Sequence, residues 1–206
     1  MLLALFLLAV ITLATINNLN RPVNSDSERQ PLVSINTDKL LWSGQEEGET
    51  VAITQNVVPT SPSKRYSLDV GLSESSKLLN GSVPLLPTLL PENTKYADVY
   101  VGPVVIIAYS SDPAADFRSS IIRFAVTLNN RGTPTTEQLN AIMRTGDELF
   151  RYGDIFGFVD PNATTGWNDG KVVIATFYIG NLHYIMTASP PVAKDDVLSV
   201  IQSMKP

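Results

Sequence analysis

The sequence predicts an α+β fold: an antiparallel β-sheet with two helices on one face, preceded by an apolar N-terminal helix. Three observations carry this. Short runs that alternate apolar and polar residues recur between residues 31 and 188, bounded by Gly, Pro and Asn, as half-buried strands do. Two segments near 133–153 and 194–204 instead space their apolar residues at i, i+3 and i+4, the helical period. The first twenty residues hold no charged side chain, and the first charge is Arg21.

Residues 1–16 read MLLALFLLAVITLATI. Sixteen helical residues at ~1.5 Å each span roughly 24 Å, against a hydrocarbon core about 30 Å thick. Residues 1–20 therefore suit a long signal peptide, a short membrane anchor or the buried stem of an assembled subunit. No Lys or Arg precedes the apolar run, as one would in an ordinary secretory signal. Residues 21–30 read as a polar linker, and residues 31–206 as the extracytoplasmic domain, with its core over 95–204.

Composition narrows the class. The 206 residues are 44% apolar and 17% charged, and the charged share lies below the roughly 25% of an average soluble domain. Net charge is -5, and Lys64-Arg65 is the one adjacent basic pair. Nucleic acid needs a basic stripe, so it is not an expected partner. The absence of Cys removes disulfides, zinc–thiolate sites and iron–sulfur clusters. Asn80-Gly81-Ser82 and Asn162-Ala163-Thr164 are glycosylation-type triplets that fit surface positions.

The elements follow in order. Residues 32–35 and 50–58 alternate as strands, around a polar turn at 44–48. Residues 65–71 alternate again, with Tyr66, Leu68 and Val70 on one face. Residues 72–93 hold Pro84, Pro87 and Pro91 among leucines, which predicts an irregular apolar connector lying on the core. Residues 97–101, 104–109 and 120–128 read as strands. Thr133-Pro134 then predicts a helix start, with Thr as cap and Pro in the first position. Leu139, Ile142, Met143, Leu149 and Phe150 form its stripe, and Gly153 stops it. Residues 160–170 (DPNATTGWNDG) read as a loop. Residues 171–178 and 182–188 form a hairpin across Ile179-Gly180-Asn181. Residues 194–204 form the last helix, with Val197, Val200, Ile201 and Met204 inward and Asp195 and Asp196 at its positive end.

Residues 89–204 resemble the DUF4367 family of extracytoplasmic domains, related to the C-terminal part of the RseB/MucB regulators. Leu90-Pro91-Glu92 before Lys95-Tyr96-Ala97-Asp98-Val99-Tyr100 is similar to that family's opening, and residues 105–110 (VIIAYS) to its next strand. Residues 182–187 leading into 192–203 resemble its ending. Asn93-Thr94 replace the family's Gly, and Phe177-Tyr178 stand where its Trp is usual. The resemblance implies sensing or binding outside a membrane, without catalysis, and it carries over no site residues.

The residues themselves offer little catalytic chemistry. His183 is the one histidine, set in an alternating strand, and no G-x-S-x-G elbow accompanies it. A single histidine can supply one metal ligand at most. Glu46-Glu47, Asp147-Glu148 and Asp195-Asp196 are adjacent pairs, each explained by a solvated turn or helix end. Asp160-Pro161-Asn162-Ala163-Thr164 superficially resembles a calcium loop, but the loop lacks its turn Gly (Thr165) and its final Glu (Lys171), which leaves an irregular calcium site through Asp160, Asn162 and Asp169 as the alternative. With Trp167 they form the candidate recognition loop: Asp160, Asn162, Trp167, Asp169. Trp42 and Trp167 both also suit a capping role. No cofactor is expected. The expected function is a non-catalytic binding or sensing module of a prokaryotic envelope. Its partners are the membrane, through residues 1–20, and a protein or a second copy. The alternative is a pilin-like subunit of a surface filament, with residues 1–20 as stem. A carboxylate-based hydrolase is the third reading.

Overall fold

The computed structural model describes residues 30–51, 63–165 and 168–204. The N-terminal segment 1–20 and the linker up to residue 29 lie outside the described residues. So does 52–58, most of the strand expected over 50–58.

Nine strands form one antiparallel sheet. In chain order these are β2 (Glu49–Val51), β3 (Ser63–Tyr66), β5 (Tyr96–Val101), β6 (Val105–Ser110), β7 (Ile122–Leu128), β8 (Glu148–Tyr152), β9 (Ile155–Thr165), β10 (Asn168–Ile179) and β11 (Leu182–Ala188). Their spatial order is β2-β3-β5-β6-β7-β11-β10-β9-β8. A first meander thus runs from β2 to β7. The chain then crosses to the far edge, and a second meander, β8 to β11, returns to pair with β7. Short β1 (Leu32–Ser34) pairs separately with β4 (Leu89–Pro91). Helices α1 (Leu68–Leu78), α2 (Thr136–Asn140) and α3 (Lys194–Gln202) and a short 3-10 turn (Thr37–Lys39) complete the described elements.

One face of the sheet carries the core. Val99, Ile107, Tyr109, Ile122, Phe124, Phe177, Tyr184 and Met186 are buried there with Leu68 and Leu79 from α1 and its end, and Val197, Val200 and Ile201 from α3. Alternation along each strand sends these residues to one side, and both helices cover that side. The irregular connector expected over 72–93 shrinks to the stretch between α1 and β4. Its Leu85 N–H donates to the Tyr184 hydroxyl at 2.9 Å. Ser203 ties the same connector to α3: its Oγ accepts from the Thr88 and Leu89 N–H groups at 3.0 and 3.1 Å.

Four expectations need correction. The strand expected over 65–71 ends at Tyr66, and a helix starts at Leu68. Leu68, Gly71, Leu72, Ser75 and Leu79 share one helical face, and the small residues at its centre let α1 close on β5. A Cβ at Gly71 would overlap the Val99 side chain. The long helix expected over 133–153 is one short turn. Its cap is Thr135, not Thr133: Thr135 Oγ1 accepts from Gln138 N–H at 3.3 Å while Gln138 Oε1 accepts from Thr135 N–H at 2.8 Å. The helix stops at Asn140, and Gly146 at φ +100 lies in a conformation that keeps the segment before β8 from resuming it. Leu149 and Phe150, read as one helical stripe, lie on opposite faces of strand β8. The loop expected over 160–170 is mostly β9 and β10, paired as far as Asn168 with Thr165. The expected helix pair on one face is therefore α1 and α3.

The two-residue turns Gly153-Asp154 and Gly180-Asn181 explain their hairpins. Each glycine has positive φ (59° and 57°), and Gly in the first central position is what a type II′ turn needs. Among the described residues no helix is long and apolar enough to cross a membrane.

Candidate binding face of the sheet

The opposite face of the sheet is divided. Over β5 and β6 it is covered: Tyr100, Ile106, Ala108 and Phe117 pack together, with Tyr100 and Phe117 edge to face at 5.6 Å. Beside them lies a buried ion pair. Arg65 Nη2 donates to Asp98 Oδ2 at 2.9 Å, and their side chains are 15% and 3% exposed. Ser43 supplies further donors to Asp98, from its N–H at 3.2 Å and its hydroxyl at 2.6 Å, and Arg65 Nη2 also donates to Ser43 Oγ. Burial is the largest influence on Arg65 and opposes its charge, but the hydrogen bond to Asp98 and the charges of Asp98, Glu49 and the Tyr100 phenol together outweigh it and raise the pKa. Burial raises the Tyr100 phenol far above its usual range. The Asp98 carboxylate is spent on this clasp, which holds the 41–51 segment to the sheet.

Over β7, β11, β10, β9 and β8 the same face is the more open part among the described residues: Ile185, Leu149 and Arg151 are exposed and most of its other residues half-buried, while Phe156, Arg123 and Thr187 are buried. Register aligns its residues into cross-strand rows, because directly paired residues share a face. One row is Thr127, His183, Tyr178, Phe156 and Arg151; the next is Ala125, Ile185, Thr176, Phe158 and Leu149. A third contains Arg123, Thr187, Ile174 and Asp160. The middle row is apolar apart from Thr176, and Ile185 and Leu149 are each 38% exposed.

The first row is built from ring contacts. His183 stacks on Tyr178 with centroids 4.7 Å apart, and the Arg151 guanidinium lies 4.3 Å from the Phe156 centroid. His183 Nε2 is buried and makes no hydrogen bond. Burial lowers the imidazole pKa, so the ring is held neutral near pH 7. In the third row the buried Arg123 donates to the Phe117 and Arg118 carbonyls, both at 3.2 Å, and burial lowers its pKa. At the end of the sheet Arg151 and Phe156 also border an open groove of about 1070 Å³. Tyr152, Ile155, Ile179 and Met204 line its apolar part and Asp154 its polar part.

The predicted recognition residues are only partly assembled. Asp160 stands in β9 beside a register shift and accepts from the Asn162 N–H at 2.9 Å. Trp167 and the side chain of Asp169 lie outside the described residues. Among the described residues no group of three or more His, Cys, Asp or Glu is placed to hold a metal. The carboxylate pairs are dispersed into local tasks. Glu47 accepts from Ser67 N–H at 2.9 Å, Asp147 from Arg144 N–H at 2.7 Å and Asp196 from Ala193 N–H at 3.0 Å. Glu148 pairs with Lys194 at 2.9 Å. Those of Asp147 and Asp196 are turn and helix-start contacts, that of Glu47 lies just ahead of α1, and that of Glu148 is an exposed ion pair between β8 and α3.

Sequence reasoning identifies β7, β10 and β11 among the strands that carry the open face, but neither β8 and β9 nor the face itself. Both faces of β10 and β11 contain aromatic and β-branched residues, so alternation shows two sets without showing which one the helices cover. Compared with family models, with curated proteins and with solved structures, the chain matches none of them.

Proposed function

We propose that the domain is a non-catalytic binding or sensing module working outside a prokaryotic membrane, and that the open sheet face is its binding surface. One observation carries the reading. Five adjacent strands place ordered apolar and aromatic rows on the face opposite the helices, with Ile185 and Leu149 exposed and Tyr178, His183, Thr176 and Phe158 half-buried, while the other face is packed under helices. Exposed apolar area organised in this way marks interaction sites. The carboxylates act as caps and pair partners, and His183 is stacked and without a hydrogen-bond partner. Both facts support a binding role over hydrolysis. The resemblance of residues 89–204 to DUF4367 points the same way, and residues 1–20 supply the delivery or anchoring.

Retention on isolated envelope fractions tests this. The double substitution Ile185→Asp and Phe158→Asp should abolish retention of the domain while leaving its circular dichroism spectrum unchanged. Retention equal to that of the unsubstituted domain refutes the surface. The filament alternative has its own support in the uncharged residues 1–20, and it predicts polymers in place of monomers or small oligomers. Mass spectrometry of the native amino terminus separates the fates of that segment, since a start near Thr15 removes both anchor and stem.

A further inference from the structure

The open face ends at β8, which is the last strand of the sheet. Only one side of β8 is paired. Its register with β9 runs from Tyr152–Ile155 to Glu148–Val159. A two-residue hairpin closes on a hydrogen-bonded pair, and such pairs alternate with pairs whose N–H and C=O groups point away. Tyr152, Phe150 and Glu148 therefore spend their backbone groups on β9. Leu149 and Arg151 aim theirs out of the sheet edge.

The same two residues place their side chains on the open face, at the ends of the apolar row and the aromatic row. Leu149 is 38% exposed. Arg151 is exposed, and its guanidinium is oriented by the Phe156 ring at 4.3 Å. One strand thus offers an outward backbone ladder, an apolar contact and a fixed cation, all at alternate positions. Within the rows of the open face Asp160 is the one carboxylate, set at the far corner beside Ile174, although the whole chain carries -5.

Resting on the binding reading above, we propose that β8 is a strand-addition site for an extended peptide of another protein. The peptide carries an acidic residue opposite Arg151 and, two residues later, an apolar residue opposite Leu149. The order follows from antiparallel pairing, since the added strand meets Arg151 before Leu149. Main-chain bonds to the edge supply affinity, and alternate side chains supply specificity. The acidic residue extends the row that ends in Arg151, where it forms a charge-assisted hydrogen bond. The apolar residue extends the row Ala125, Ile185, Thr176, Phe158 and Leu149.

An array of hexapeptides of pattern x-x-(Asp/Glu)-x-(Val/Ile/Leu)-x, with a matched array bearing Lys at the acidic position, tests this on the full chain. Binding should favour the acidic array by about tenfold or more. Arg151→Glu should invert that preference. Leu149→Pro removes an outward N–H and no β8–β9 bond, so it should abolish binding while the urea unfolding midpoint stays close to that of the unsubstituted chain. Equal binding of both arrays, an unchanged preference in Arg151→Glu, or binding that survives Leu149→Pro overturns the proposal. So does a dimer that Leu149→Pro converts to monomer, because the edge would then serve a second copy. Binding that survives Leu149→Pro but is lost in Ile185→Asp refutes the edge alone and leaves the open face as the binding surface.

Discussion

Two rows of residues, one position apart in the chain, show how the sheet divides its work. Val126, Tyr184, Phe177, Gly157 and Phe150 run across the covered face; Thr127, His183, Tyr178, Phe156 and Arg151 run across the open one. Both rows contain stacked rings. On the covered side Phe177 and Tyr184 stack at 5.0 Å, and Phe150 comes within 6.3 Å of Phe177. Between those two strands stands Gly157, where a Cβ would overlap the Thr176 carbonyl oxygen and Phe177. On the open side the stack is capped by ionisable groups, His183 and Arg151. Rings packed under helices hold the fold together. Rings interleaved with His, Thr and Arg, of which Tyr178 and His183 are half-buried and Phe156 lies buried under Arg151, form a more polar and more accessible face.

The sharpest way to break this comparison is to truncate matched rings. Phe177→Ala, at 0% exposure, should lower unfolding free energy by about 3–5 kcal/mol, the usual cost for a buried Phe. Phe158→Ala on the open face should cost less than half of that. Equal losses in urea titrations would mean that both faces are core.

Asp98→Ala probes the covered part of the otherwise open side. It leaves Arg65 only its longer pair to Glu49 at 3.4 Å and should cost about 3 kcal/mol, the low end for a broken buried pair because Arg65 is part-exposed and keeps that partner. Replacing Arg65 and Asp98 together by Met and Leu should recover most of that loss, and a double variant no more stable than Asp98→Ala would contradict the clasp.

Gly71→Ala tests the close approach of α1 to β5. An exposed helix position would gain from Ala, but overlap with Val99 should instead destabilise by about 1–3 kcal/mol. A stabilised variant would show that α1 does not press on the covered face.

The smallest effect concerns pH. Burial depresses the His183 pKa in the folded state, so the unfolded chain binds more protons in acid. The contribution is fully present above the unfolded value of about 6.5 and is lost as pH falls through the depressed folded value. Stability measured from pH 7.5 to 5 should fall more steeply in the wild type than in His183→Gln. Parallel curves would place His183 in water.

Much of the second half of the fold was legible, because residues 97–128 and 171–188 alternate cleanly and Val197, Val200 and Ile201 keep helical spacing. Helix α1 was hidden by Gly71 and Ser75, small buried residues that carry contact without hydropathy. The segment 139–150 misled in the other direction: its apolar residues fit a helical stripe by spacing, while Gly146 at positive φ turns the chain into β8. The open face was illegible for a different reason. Which of two alternating sets faces solvent depends on where α1 and α3 pack, and the strand sequences do not contain that. The edge is hidden with it, since the apolar spacing of residues 139–150 predicts helix where β8 stands.

Hydrogen exchange at single amides of β8 tests the central claim most directly. In the free protein the Phe150 N–H should be protected by β9 and the Leu149 and Arg151 N–H groups should exchange freely. Adding the tightest-binding acidic array peptide should protect Leu149 and Arg151 and leave Phe150 unchanged. Protection of Leu149 and Arg151 already present in the free protein, or no protection on adding the peptide, would contradict it.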